Sequence, residues 1–335
     1  MTREGPTAHA AGMVEEQLGG FQGVVDTHID TLLRVAGDGI DLGSRLADGH
    51  IDLLRLAEGG VRAQFFACFI EPEYKPDRAL ARVLQLIDAF YRMAGANSDR
   101  VAVATGLAGV LAAYASGRLA AILAVEGGEA IGHDLAALRA LYRLGVRCLG
   151  LTWNERNGIA DGVGEESPGG LSRFGVEVVK EMNRLGMLID VSHLAEPGFW
   201  DVLARSEAPV LASHSNARAL CGHRRNLTDA QVRELAARGG VVSVNFCPSF
   251  VTDDPARATL DRVLDHVEHL AGVAGAGHVG IGSDFDGIPG TPEGLEDVSR
   301  LPALVEGLRR RGFREDEVRD VAGRNVLRLL ARVVG

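Results

Sequence analysis

The chain has 335 residues, 46% of them apolar and 24% charged, with a formal net charge of −10. That apolar fraction suits one large core and argues against a disordered chain, and its length does not force a division, because a barrel of alternating strands and helices reaches this size as one unit. Acidity without a long Lys/Arg block excludes nucleic acid as a partner.

Residues 1–20 contain no continuous apolar stretch of the secretory type, and the final LRLLARVVG offers neither a lipid-anchor tail nor a membrane span. The expectation is a cytoplasmic protein without a membrane partner: a flexible tail over residues 1–20, then a single catalytic domain over 21–335. Eight apolar runs then follow, reading as strands at 23–30, 61–70, 119–127, 146–153, 187–193, 209–215, 240–246 and 278–286. Between them lie helical patterns such as ALARVLQLIDAFYRMAG, LSRFGVEVVKEMNRLG and LDRVLDHVEHLAGVAG, several closed by glycine. Parallel strands need crossover connections, so this alternation predicts an α/β fold, a (β/α)8 TIM barrel, with EDEVRDVAGRNVLRLLARVV as a closing outer helix. The long connections 32–60 and 154–170 follow strands, which places them at the catalytic face. Cys68, Cys148, Cys221 and Cys247 are far apart, lack a CxxC pair and sit in or beside apolar stretches, so they read as reduced and mostly buried.

Ionisable residues gather at one end of these strands. His28 and Asp30 close the first run, and side chains two apart on a strand point the same way, so DTHID can grip one ion. The alternative is a buried histidine bonded to its neighbouring carboxylate. Glu126 ends AAILAV before two glycines, where an ionised carboxylate needs a partner: two shared cations, or an arginine. His193 and His214 end LIDVSH and LASH. Each alone reads as a structural histidine, but with the others they form a nitrogen and oxygen set suited to two zinc ions. Asp284, in GIGSDFDG, is placed across the mouth to take and return a proton, and Asp286 on the opposite face if the strand continues. Of the other histidines, His9 falls in the tail, His133, His266, His269 and His278 sit on loops or helices, and His50 and His223 are intermediate.

DTHID, EGG after AAILAV, LIDVSH, SHSNARALCGHRRN, GVVSVNF and GSDFDGIPGTPEGLEDVS together resemble the renal, or membrane, dipeptidase family of the amidohydrolase superfamily, in family order over about residues 24–330. The resemblance implies zinc-dependent hydrolysis of small dipeptides, with tolerance of a D-residue at the second position, by a hydroxide bridging two Zn2+ ions. It implies that His28 and Asp30 bind one zinc, His193 and His214 the other, that Glu126 bridges them, that Asp284 shuttles the proton and that Arg225 contacts the substrate's terminal carboxylate. Without the resemblance Arg225 would read as a solvated loop charge. Many animal members carry a histidine where this chain has Trp153, which leaves carbonyl support to the metal, the Trp153 indole N–H or Asn154. Relatives are often dimers, so a homodimer is expected. The rival readings are another amidohydrolase acting on a lactam, lactone, cyclic amide or phosphoester, and a non-catalytic metal-binding protein.

Overall fold

The computed structural model describes residues 8–335. Nine parallel strands alternate with helices: β1 (Val24–Ile29), β2 (Val61–Phe69), β3 (Val101–Val103), β4 (Leu119–Glu126), β5 (Val146–Gly150), β6 (Leu188–Asp190), β7 (Leu211–Ala212), β8 (Val241–Val244) and β9 (Val279–Ile281). β1 pairs with both β2 and β9, β2 pairs with β4, and β4 through β9 pair in sequence, closing an eight-stranded barrel. The eight expected runs supply these eight strands. β3 is additional: it pairs only with the start of β4, along the edge that β5 leaves open until Leu123.

Alternation sorts the strand residues into two cores. Phe66, Cys68, Ala121, Leu123 and Val125 pack in the layer between sheet and helices, whereas Ala63, Phe65, Ala120, Ile122 and Ala124 belong to the inner cluster. Glu126 is the next inward position after Ala120, Ile122 and Ala124, so the fold aims its carboxylate into the barrel mouth. In β1 the register shifts between Asp26 and Ile29. Val25 is in the inner cluster but Ile29 in the outer one, so the shift exchanges the faces and turns His28 and Asp30 inward.

The helices take their limits from local chemistry. Arg173–Leu185 is capped by Ser172, whose side chain accepts from the Gly175 N–H, and ends at Gly186 in the left-handed region at φ 73°; Val178, Val179 and Met182 form its buried stripe. Asp229–Ala237 starts with a capping box between Thr228 and Gln231. All four cysteines are buried and free.

Two expectations about the chain's ends need correction. Residues 8–18 of the expected tail form a helix: Leu18 is fully buried, Glu15 pairs with Arg328, and Arg324 donates to Gly19 O. Residues 1–7, and the side chain of His9, lie outside the described residues. The closing segment is helical but changes pitch, with a π-helical turn over Asp320–Arg324 between Glu315–Arg319 and Asn325–Val333. Both terminal helices join the inner cluster through Leu18, Val326, Leu327 and Leu330, and so plug the end opposite the site.

Gly323 in that turn lies against β1: a Cβ there would stand 2.7 Å from Val25 Cγ2 and 3.0 Å from the Val25 backbone nitrogen. Gly323→Ala gains about 1 kcal/mol of helix propensity. It loses about 1–3 kcal/mol to overpacking against a strand backbone that cannot yield. The expected result is a lower denaturant midpoint; an unchanged midpoint would mean that the helix can slide off the strand.

Candidate active site

The mouth at the C-terminal ends of the strands opens into a cavity of about 560 Å³, lined among others by Asp30, Glu126, His193, Arg225 and Asp284. His28 Nε2 lies 3.2 Å from Glu126 Oε2, 3.5 Å from Asp30 Oδ2 and 4.0 Å from Asp284 Oδ1. Across the carboxylate, Glu126 Oε1 lies 2.9 Å from His193 Nε2 and 3.4 Å from His214 Nε2, and the two Nε2 atoms are 2.8 Å apart. Six buried side chains from β1, β4, β6, β7 and β9 or the turns that follow them thus converge, as the sequence suggests. Four of the donors sit past their strands, and His193 (φ 67°) and Asp284 (φ 63°) hold left-handed backbone, a strained conformation in which these turns aim the side chains.

Hydrogen bonds fix which ring nitrogens face the centre. The Asp190 carboxylate only accepts, so Ser213 Oγ donates to it and in turn accepts from His214 Nδ1, 2.7 Å away; His193 Nδ1 donates to Asn154 Oδ1 at 2.8 Å. Both Nε2 atoms therefore present lone pairs to one another and to Glu126. His28 Nε2 and Asp30 Oδ1 are buried without any hydrogen-bond partner. Lone pairs crowded at these distances repel unless a cation lies among them, so this donor set fits metal ions. The two clusters Glu126–His193–His214 and His28–Asp30–Asp284 each bring their ligand atoms within 4.8 Å of one another. Asp190 also lies near His28 and His214, but Ser192 N, Ser213 N and Ser213 Oγ already donate to it, which makes it a support for His214 rather than a metal donor.

The charges divide the site. Burial, then the Arg225 cation, push the His193 imidazole down to about 3, and burial with the His28 charge holds His214 well below its ordinary value, so both are neutral donors near pH 7. Burial works against protonation of His28, but the Glu126 and Asp30 carboxylates overcome it and lift His28 well above the usual imidazole range, so without metal a proton stands where a cation on Nε2 would replace it. Burial raises Asp284; His28 opposes this and Glu126 adds to it.

Other residues support this centre. Asn245 Nδ2 donates to Asp284 Oδ2 at 2.8 Å, leaving Oδ1 toward His28. Asp26, pushed by burial up to about 6, accepts from Ser283 N and Oγ and so ties β1 to the segment bearing Asp284. Gly287 passes directly over the carboxylates, where a Cβ would meet Asp30 Oδ2 and Asp284 Oδ1. Asp26, Asp190, Ser213 and Asn245 were not singled out from sequence, although Asp190, an acid inside the apolar run MLIDVSH, carries the same signal that exposed Glu126.

Some expectations change in detail. Asp286 is not set on a face opposite Asp284, because residues two apart would share a strand face and β9 in any case ends at Ile281; Asp286 lines the same cavity and accepts from Thr31 Oγ1 and His50 N, each at 2.7 Å. β5 ends at Gly150, which puts Trp153 and Asn154 on the following loop. Asn154 is hydrogen-bonded to His193, and Trp153 lines the cavity with its ring packed edge-on to Phe69 at 5.1 Å and Lys75 Nζ 4.7 Å from it. Arg225 is buried, not solvated: its Nη2 donates to His214 O at 3.1 Å and its Nε has no partner. His50 Nδ1 accepts from Asp286 N and His223 lines the cavity, while His266, His269 and His278 make structural hydrogen bonds away from it.

A closed α/β barrel bearing two buried His and carboxylate clusters at its mouth defines a barrel enzyme of the metal-dependent type. The chain matches the membrane dipeptidase family, peptidase family M19, over residues 16–334, and belongs to it. Dipeptidase tcpJ of Claviceps purpurea is 37% identical over 295 residues, covering 85% of this chain and 69% of that protein. Dipeptidase verJ of Clonostachys rogersoniana is 38% identical over 299 residues, 85% of this chain and 76% of that one. A metallopeptidase from Rhodobacter sphaeroides, solved with a phosphinate mimic of the dipeptide L-Ala-D-Ala, superposes with a TM-score of 0.87 at 34% identity, covering 93% of this chain and 99% of its own. The chain is a metallo-dipeptidase by family.

Proposed function

We propose that this protein is a dinuclear zinc dipeptidase. The observation that carries this reading is the division of Glu126, whose Oε2 faces His28 while Oε1 faces His193 and His214, as a carboxylate shared between two cations must. His28 and Asp30 would hold one ion and His193 and His214 the other. Nitrogen and carboxylate donors suit zinc, which when bound polarises the scissile carbonyl and lowers the pKa of water.

The chain's own groups orient the substrate and move the proton. Arg225, carrying an unused buried N–H, grips the terminal carboxylate with a planar fork, and that contact sets the length limit to two residues. Phe69 and Trp153 form the apolar wall beside the first residue. Asp284 Oδ1 takes the proton of the attacking water and passes it to the leaving amine, while Asn245 keeps the carboxyl aimed. The L-Ala-D-Ala mimic bound by the Rhodobacter relative supports extension to L,D-dipeptides.

The direct test is a panel of L,L- and L,D-dipeptides and tripeptides given to zinc-loaded protein, with metal analysis of unchelated preparations. Release of amino acids from dipeptides alone, and about two ions per chain, is expected. Metal-free native protein, or inactivity on every dipeptide, would refute the reading. Arg225→Met is expected to raise KM by about ten- to a hundredfold, the worth of one charge-assisted hydrogen bond, with a smaller change in kcat. An unchanged KM would favour a substrate without a carboxylate, such as a lactone. Ser213→Ala removes the partner of His214 Nδ1 and is expected to weaken metal binding by about 10–100-fold, measured by competition with a chelator.

A further inference from the structure

Arg225 has an equally cationic neighbour that the catalytic reading leaves unused. Arg224 is exposed and lines the same cavity. It does not swing freely: Nη1 donates to Val163 O at 3.0 Å and Gly164 O at 3.3 Å, which ties its guanidinium to the loop after β5. That tie uses one nitrogen of the fork and leaves the Nη2 and Nε donors unspent. In a chain of net charge −10, no carboxylate among the described residues pairs with Arg224 or with Arg225. The rim carboxylates near them are engaged elsewhere: Glu196 lies 3.7 Å from Arg218, and Glu165 holds the Arg156 backbone N–H at 2.9 Å and its guanidinium at 3.8 Å. His223 adds a further donor to this wall. Its Nδ1 accepts from Arg225 N, so its Nε2 carries the hydrogen, and the ring is held 4.4 Å from Phe250.

We propose that Arg224 selects dipeptides whose C-terminal residue bears a side-chain carboxylate, aspartate or glutamate. The inference rests on the dipeptidase reading, because Arg225 must first take the α-carboxylate. Both guanidiniums line one cavity, so a side chain carried by that same residue shares the mouth with Arg224. An anion arriving there meets a cation already positioned and without a carboxylate of its own to displace, so little is lost on pairing.

The test compares kcat/KM for Ala-Asp with its near-isostere Ala-Asn, with L- and D-forms of the second residue, and with Ala-Ala as reference. Wild-type enzyme is expected to favour Ala-Asp by about tenfold, chiefly through KM, the size of one charge-assisted hydrogen bond at a partly exposed site. Added salt should reduce the preference. Arg224→Gln keeps a donor for Val163 O and Gly164 O but removes the charge, and is expected to bring the Asp/Asn ratio to about one, whereas Arg224→Lys retains part of it. The ratio is the readout, since a purely structural tie to the loop would change both substrates alike. Equal rates on Ala-Asp and Ala-Asn in wild type, or a preference that survives Arg224→Gln, would overturn the selectivity while turnover of Ala-Ala left the dipeptidase reading standing. Failure to hydrolyse any of the three would remove both.

Discussion

Asp284→Asn is expected to lower kcat by about 10²–10⁴, the usual worth of a positioned acid-base group, while metal content stays at the wild-type level. The amide keeps the size of the carboxyl and can still accept from Asn245 Nδ2, so the left-handed turn at φ 63° and its neighbours need not move. What is lost is the ability to hold a proton and give it back. Burial lifts the Asp284 carboxyl above the ordinary carboxylate range, with His28 opposing and Glu126 reinforcing, which brings it closer to a group that can exchange a proton near neutrality. Paired measurement of kcat and bound metal separates this role from ligation. A variant retaining more than about a tenth of wild-type turnover would show that the proton travels by another group, and one that loses metal as well would make Asp284 a ligand.

Why the sequence shows this centre so well, and its surroundings so poorly, has a physical reason. His28, Glu126, His193, His214 and Asp284 each end an apolar run, and a polar group in such a place needs a partner, so every one is conspicuous by itself. The residues that orient them are conspicuous only in pairs. Ser213 matters because Asp190, 23 residues earlier, accepts its hydrogen bond, and Asn245 because Asp284, 39 residues later, lies beside it. No local pattern encodes those separations. β3 escapes notice because three residues, of which only Val101 is fully buried, produce no periodicity. The helix Ala8–Leu18 has the same difficulty: its anchor is Arg328, 313 residues from Glu15, and its own sequence is too weakly patterned to announce it. Inward placement of His28 also depends on the register shift in β1, which strict alternation from Val25 would have contradicted. The expectation for Asp286 failed because residues two apart share one face of a strand, as His28 and Asp30 do, so alternation never set Asp286 against Asp284, and β9 in any case stops at Ile281.

Removal of the metal ions is expected to lower the thermal midpoint by roughly 10 °C, and Glu126→Gln is expected to reduce that response and abolish turnover. The folded chain keeps His28 Nε2 and Asp30 Oδ1 buried with no hydrogen-bond partner, and faces His193 Nε2 toward His214 Nε2 at 2.8 Å. Each unsatisfied buried polar atom costs about 1–3 kcal/mol, and a bound cation relieves several of them together. The unfolded chain offers no such cluster, so each ion stabilises the native state by about 2.7 kcal/mol, and two by about 5 kcal/mol, when free ion stands a hundredfold above its dissociation constant. At about 2 °C per kcal/mol for a domain of this size, that gives the shift stated. Glu126→Gln replaces one of two acceptor oxygens by a donor, so the side chain can still serve His28 or the His193–His214 pair but not both. Calorimetry with and without chelator, on protein whose metal content has been measured, decides the matter. A wild-type midpoint indifferent to chelator, or a Glu126→Gln protein that still binds two ions, would show that the shared carboxylate does not bridge them.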